Sequence, residues 1–324
     1  MKNIQEKTLA AINEASKVIV GKDDRIRLII TSVLAGGHIL LDDLPGAGKT
    51  TLVKTLSAVL GCSCSRVQFT PDLLPSDVTG LSVYDQKLGD FRMRLGPIVT
   101  NLFLADEINR AIPRTQSALL EAMEEGQITI DGETIVLPRP FLVMATQNPV
   151  EQESTFRLPV AQMDRFSMRI SLGYPDPEGE VLMLKTVGDE IPFDKLEQIF
   201  EDGELVSMQQ QISSVFISDK VLAYIVAVVE ATRNTTLLAL PASPRGTRAL
   251  YRVSKAWAAS NGRDFVTPDD VKALVPHILP HRVLISGEAK LSGRTEVDVI
   301  NELLATVPVP VDEEELIIGG SEQQ

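Results

Sequence analysis

The chain has 324 residues, 44% of them hydrophobic and 23% charged, which is enough to bury real cores and excludes a disordered tail. Its 44 acidic residues outnumber 31 basic ones, and the formal charge of −13 weighs against a general nucleic-acid binder, because phosphate contacts need a basic face. Cys62 and Cys64 are too few for a disulfide framework or a four-ligand zinc site, so reduced thiols are expected.

The longest apolar stretch, residues 28–41, is interrupted by Thr31, Ser32, Gly36, Gly37 and His38 and falls short of the ~18 residues that span a membrane. The N-terminus lacks the long apolar core of a secretory signal, so the expected location is cytoplasmic.

In chain order, short apolar runs alternate with helical patterns from about residue 25 to 172. Residues 38–41 read as a buried strand that His38 enters, residues 49–60 as a helix ended by Gly61, and residues 66–69 as a short strand. Residues 70–97 hold Gly80, Gly89 and Gly96 and few helix signals; the stretch is long for a connection and reads as an insertion with its own structure. Runs 101–105 and 141–145 have strand length and no polar face, as in a parallel sheet covered on both sides. Between them, residues 113–125 carry Leu119, Leu120 and Met123 at helical spacing, with Gly126 as a stop and Glu121, Glu124 and Glu125 on a solvated face. Asp131-Gly132, flanked by alternating residues, predicts a hairpin at about 127–137. Residues 168–171 close the series, and the pattern predicts an α/β fold with a doubly wound parallel sheet.

The cluster Gly173-Tyr174-Pro175-Asp176-Pro177 divides the chain into a nucleotide-binding domain at 1–175, a helical domain at 176–310 and an acidic tail at 311–324. In the helical part, Ser218 reads as the N-cap of a helix at 219–232, Ser243-Pro244 opens another helix, and Thr267 with Asp270 forms an approximate capping box for a third. Trp257 joins Leu250 and Val253 as core. His277 and His281, four apart, lack a third ligand and read as a helix-end pair rather than a metal site.

The most informative segment is Leu40-Leu41-Asp42-Asp43-Leu44-Pro45-Gly46-Ala47-Gly48-Lys49-Thr50-Thr51, a strand running through a glycine loop into a helix. Glycines let backbone N–H groups curl around a phosphate, and the helix N-terminus adds positive potential. Lys49 supplies an ammonium for the outer phosphates and Thr50 a hydroxyl for Mg²⁺, with Pro45, Gly46, Ala47, Gly48 and Thr51 completing the cradle. The usual pattern has glycine five residues before Gly48; here Asp43 stands there. The second motif is the apolar strand ending in Asp106-Glu107. Ligands of a parallel sheet sit at strand carboxyl ends, so Asp106 is a candidate for Mg²⁺ and Glu107 for activating water. Asn148 follows the next strand and is a candidate to position that water.

Phosphate loop, acidic strand end and strand-tip Asn, in this order, resemble an AAA+ ATPase. The strings 66–77 (RVQFTPDLLPSD), 105–111 (ADEINRA), 116–123 (QSALLEAM), 145–149 (ATQNP) and 161–166 (AQMDRF) narrow the resemblance to the MoxR family, over about residues 18–282. That resemblance implies a P-loop AAA+ sheet domain with a C-terminal all-helical lid. It implies ATP and Mg²⁺ as ligands and assembly into a ring, often a hexamer. It also implies chaperone-like remodelling or maturation of client proteins, with partners that can carry a von Willebrand factor A domain. Within it, Arg165 matches the arginine finger that reaches a neighbour's ATP, and Arg245 matches the lid sensor of the γ-phosphate. Residues 18–21, including Val20 and Gly21, match the segment bordering the adenine. Val160 replaces a common Glu and Arg157 a common Pro, which makes Arg157 a rival for the finger role. Two alternatives stay open: a nucleic-acid motor, which the acidic balance disfavours, and a nucleotide-gated assembly module without hydrolysis, which Asp43 motivates.

Overall fold

The structure is a computed structural model and describes residues 1–42, 46–147, 156–186, 188 and 193–310. Helices α1 (Lys2–Ser16) and α2 (Asp23–Leu34) lead into β1 (Ile39–Asp42), α3 (Lys49–Leu60), β2 (Cys64–Gln68) and α4 (Pro75–Thr79). Then follow β3 (Gly80–Asp85), β4 (Asp90–Leu95), β5 (Leu102–Asp106), α5 (Pro113–Glu125), β6 (Gln127–Ile130) and β7 (Glu133–Val136). β8 (Leu142–Gln147), α6 (Val160–Met163), β9 (Met168–Ile170) and α7 (Pro177–Thr186) follow. The chain continues with α8 (Glu204–Ser213), α9 (Asp219–Ala231), β10 (Leu238–Leu240), α10 (Pro244–Ser260) and α11 (Pro268–Ile278). Next come β11 (Leu284–Ile285), α12 (Gly287–Leu291) and α13 (Glu296–Thr306). No helix among the described residues is long and apolar enough to cross a membrane.

Five strands form one parallel sheet in the order β2-β5-β8-β1-β9. Alternate residues feed its two faces. Ile39, Leu41, Leu102, Leu104, Leu142 and Met144 join one core with α1, α2, α3 and the lid helices. Leu40, Phe103, Ala105, Val143 and Ala145 join the other, beneath α4, α5 and the β6–β7 hairpin. Burial on both faces explains why these strands read as continuous apolar runs. The crossed order brings the carboxyl ends of β1, β5 and β8 together, with Asp42 beside Gln147 and Asp106 beside Gln68 in register.

The predicted hairpin is present, with Asp131 and Gly132 both at positive φ (49° and 88°), as its two-residue turn requires. The insertion folds as α4 followed by the antiparallel β3–β4 hairpin. Two features were not read from the sequence. α2 is buried continuously from Leu28 to Leu34, so it lacks the polar face that would separate it from β1. The lid also holds a two-stranded sheet, β10 with β11, whose strands are too short to carry a periodic signal.

Candidate active site

Lys49 begins α3 directly after β1 and the loop, as the motif predicts. Gly46 and Gly48 lie at φ +82° and +77°, and a Cβ at either would meet nothing within 4 Å, so it is backbone conformation that calls for glycine here. α3 has no side-chain cap and no acidic residue in its first turn, so the positive end of its dipole is not offset by its own first-turn side chains. Behind the loop opens a cavity of about 270 Å³, walled by Val18, Ile19 and Val20, by Gly46, Ala47, Gly48 and Thr51, and by Leu172–Pro175 with Glu180 and Met183 of α7. Lys22 fastens one edge by donating from Nζ to the Tyr174 carbonyl at 2.9 Å. Gly21 sits between two lining residues, and Lys49 and Thr50 stand on the adjoining first turn of α3. Pro45 and Asn148, named from sequence, lie outside the described residues, as does Asp43.

At the strand ends, Thr146 organises the two carboxylates. Its hydroxyl donates to Asp106 Oδ1 at 2.7 Å and accepts the Glu107 backbone N–H at 2.8 Å. Asp106 Oδ2 takes Arg66 Nη2 at 2.7 Å. Glu107 is held at φ 56°, a conformation costing a non-glycine residue about 1–3 kcal/mol, and its Oε2 accepts from Gln68 Nε2 at 2.8 Å and pairs with Arg110 at 2.9 Å. The strained turn aims this carboxylate while both its neighbours hold it in place. No cluster of three metal-ligating His, Cys, Asp or Glu exists among the described residues. The Thr50 hydroxyl and the Asp106 carboxylate are hard oxygen donors of the type magnesium takes, and Asp106 is held by Thr146 and Arg66.

Arg165 and Arg245 meet elsewhere. Both pair with Glu124 near the end of α5: Arg245 Nη2 with Oε1 at 2.6 Å and Arg165 Nη2 with Oε2 at 3.1 Å. They share a cavity of about 190 Å³ with Arg248, Arg252, Arg282 and Asp164, and no described phosphate-loop residue lines it. Glu124, which the helical pattern put on a solvated face, is thus engaged from two domains at once. Asp164 does not pair with Arg165; it is held by the buried Arg282 and by Ser243 Oγ at 2.5 Å. Arg282 also donates from Nη2 to the Phe166 carbonyl at 2.5 Å, so the lid grips the Asp164-Arg165-Phe166 turn. Arg157, the rival finger, is exposed.

Two histidines in this region are neutral. Burial pushes His38 down to about 4; its Nε2 faces the Met123 carbonyl and so donates, while Nδ1 accepts from the Val143 N–H. His281 is buried too, its pKa driven well below the ordinary range first by desolvation and then by Arg282, with Nε2 on the Phe166 carbonyl at 2.9 Å. Neither is a metal ligand. Sequence reading missed Arg66, Gln68, Thr146 and Glu124. The first three follow from the rule that strand ends line the site, applied to β2 and β8; Glu124 has no local signal.

Residues 38–168 match the family described as ATPase family associated with various cellular activities (AAA), and residues 230–303 match the AAA lid domain. The chain is 46% identical over 301 residues to the uncharacterized protein YeaC of Bacillus subtilis, across 93% of this chain and 94% of that one. It is 41% identical over 309 residues to Chaperone MoxR1 of Mycobacterium tuberculosis, across 93% and 81%. A crystal structure of a Cytophaga hutchinsonii protein inferred to be an ATPase superposes with a TM-score of 0.88 at 39% identity, across 95% of this chain and 96% of that one.

Proposed function

We propose, since the chain belongs to the MoxR family of AAA+ ATPases, that it binds and hydrolyses ATP in a ring of its own copies, in the cytoplasm, to drive remodelling or maturation of client proteins. The observation that carries this reading is the glycine turn of Gly46 and Gly48 at positive φ leading into α3, beside a cavity walled by Val18, Ile19, Val20 and that same turn. That cavity suits an adenine and ribose beside a phosphate cradle.

In this reading, backbone N–H groups from Gly46 to Thr51 and the Lys49 ammonium bind the phosphates. Thr50 and Asp106 would hold a magnesium ion, which would supply positive charge against the phosphates. Glu107 orients the attacking water and takes up its proton. Gln68 and Arg110 hold that carboxylate before the substrate arrives. Arg165 and Arg245 stabilise γ-phosphate charge. Their separation from the phosphate-loop cavity supports their serving the nucleotide of an adjacent copy. The domain division near residue 175 remains part of this proposal, and α7 supports it because it contributes Glu180 and Met183 to the nucleotide cavity from the lid side. A lid that touches the nucleotide can pass hydrolysis on as a change in lid angle.

The test is phosphate release by the full chain at concentrations that assemble. Glu107→Gln should bind ATP and Mg²⁺ with wild-type heat while hydrolysis falls by about 10²–10³-fold. Lys49→Ala should lose the binding heat. Absence of heat and of phosphate release in the wild-type chain overturns the reading.

A further inference from the structure

Glu124 sits where two guanidiniums from different parts of the molecule converge. Arg165 follows α6 in the sheet domain and Arg245 lies in the first turn of α10 in the lid. Each gives one Nη2 to a separate oxygen of the same carboxylate. A single carboxylate cannot cancel both charges, and Arg248 and Arg252 add two more to the cavity wall. Asp164, the second carboxylate there, is already committed to Arg282 and Ser243. The cavity therefore keeps an excess of positive charge in a protein whose formal balance is −13.

The way the forks are used matters. Arg165 presents one nitrogen to Glu124, while its Nε is buried and has no acceptor among the described residues. A buried guanidinium N–H without a partner is costly, so its persistence points to an acceptor that arrives from outside. An arginine at the start of a helix also opposes the helix dipole, and Glu124 offsets that at Arg245.

We propose that Glu124 is a positioning residue: it ties Arg165 to Arg245 side by side, so that one phosphate group can be met by both forks at once. The inference rests on the ATPase reading above and adds a residue to it. Glu124 touches neither nucleotide nor water; it acts through the two arginines, and it makes the geometry of the sheet domain depend on the seat of the lid. Rate then depends on lid position without any lid residue other than Arg245 reaching the phosphate.

The experiment measures kcat and KM for ATP on the assembled full chain of Glu124→Gln, Arg165→Ala and the double variant. Glutamine keeps the shape and one acceptor but removes the charge that orders both forks. Glu124→Gln should lower kcat by about tenfold with KM changed less than about twofold, because misplaced catalytic groups cost rate rather than ground-state binding. Arg165→Ala should lower kcat further, and adding Glu124→Gln to it should cost less than Glu124→Gln costs alone, since Glu124 then has one fork left to order. A Glu124→Asp variant should recover part of the loss. Wild-type kcat in Glu124→Gln beside a strongly impaired Arg165→Ala overturns the positioning role and leaves the ATPase reading standing. A loss in Glu124→Gln that multiplies in full with Arg165→Ala also overturns it. Wild-type kcat in Arg165→Ala overturns the finger assignment itself.

Discussion

The cavity behind the phosphate loop is walled by three short stretches of chain and adjoins the start of α3, whose positive potential belongs to the fold. The arginine cavity is assembled from the turn after α2, α5, the turn before β9, α10 and the turn after α11, and among the described residues Arg165, Arg245 and Arg282 pair with carboxylates while Arg248 and Arg252 do not. The two cavities share no lining residue. Under the proposed function they are the two halves of one phosphate site, which meet between copies.

The sharpest way to break that comparison is to separate the halves genetically. Lys49→Ala keeps an intact arginine cavity, and Arg165→Ala keeps an intact phosphate loop. Each alone should lose phosphate release by about 10³-fold, while a mixture of the two should recover to within about tenfold of the wild-type chain. A mixture no better than either variant places both halves on the same nucleotide and ends the comparison.

Arg282 tests how firmly the arginine side is built. It is 3% exposed and binds the Asp164 carboxylate and carbonyl and the Phe166 carbonyl. Arg282→Ala leaves a buried carboxylate with Ser243 as its remaining partner and should cost about 3–5 kcal/mol, read as a lower urea midpoint. The phosphate-loop side has no comparable buried ion pair among the described residues, so nucleotide binding by the folded fraction should survive.

Most of the sheet and the glycine turn into α3 were legible because their signals are local. A buried parallel strand writes itself as an apolar run, and Gly46, Gly48 and Lys49 stand within four residues of one another. The acidic strand end was legible for the same reason. What could not be read were contacts between distant segments: Glu124 with Arg165 and Arg245, and Asp164 with Arg282, depend on where α5, α10 and α11 come to rest. Arg165 and Arg245 were found through resemblance, while the carboxylate joining them has no pattern at all. Asp164 and Arg165 are neighbours in sequence, yet the turn geometry sends the two side chains to different partners.

A smaller effect comes from the histidines beneath the arginine cavity. An unfolded His38 protonates near 6.5, whereas the folded one stays neutral until about 4. Between those values the unfolded chain binds more protons, so stability is complete above about pH 6.5 and falls as the pH drops toward 4, by roughly 3 kcal/mol. His281 acts in the same direction. Urea midpoints at pH 7 and 4.5 should differ less in His38→Gln than in the wild-type chain. An equal difference in both would assign the acid sensitivity to carboxylates elsewhere.

The smallest expected effect is the most selective one. Ser243 caps α10 by accepting the Arg245 N–H at 3.1 Å, and the same hydroxyl donates to Asp164 Oδ2 at 2.5 Å. It therefore fixes the helix end that presents Arg245 and the turn that presents Arg165. Ser243→Ala should lower stability by only about 1 kcal/mol, a melting shift of about 2–4 °C, because Arg282 still satisfies Asp164. Its effect on kcat should be larger than that small cost suggests, since both arginines lose a common reference point, while heat of ATP binding at the phosphate loop stays as in the wild-type chain. Equal small losses in binding and rate would mean that the two cavities are less independent than their walls imply.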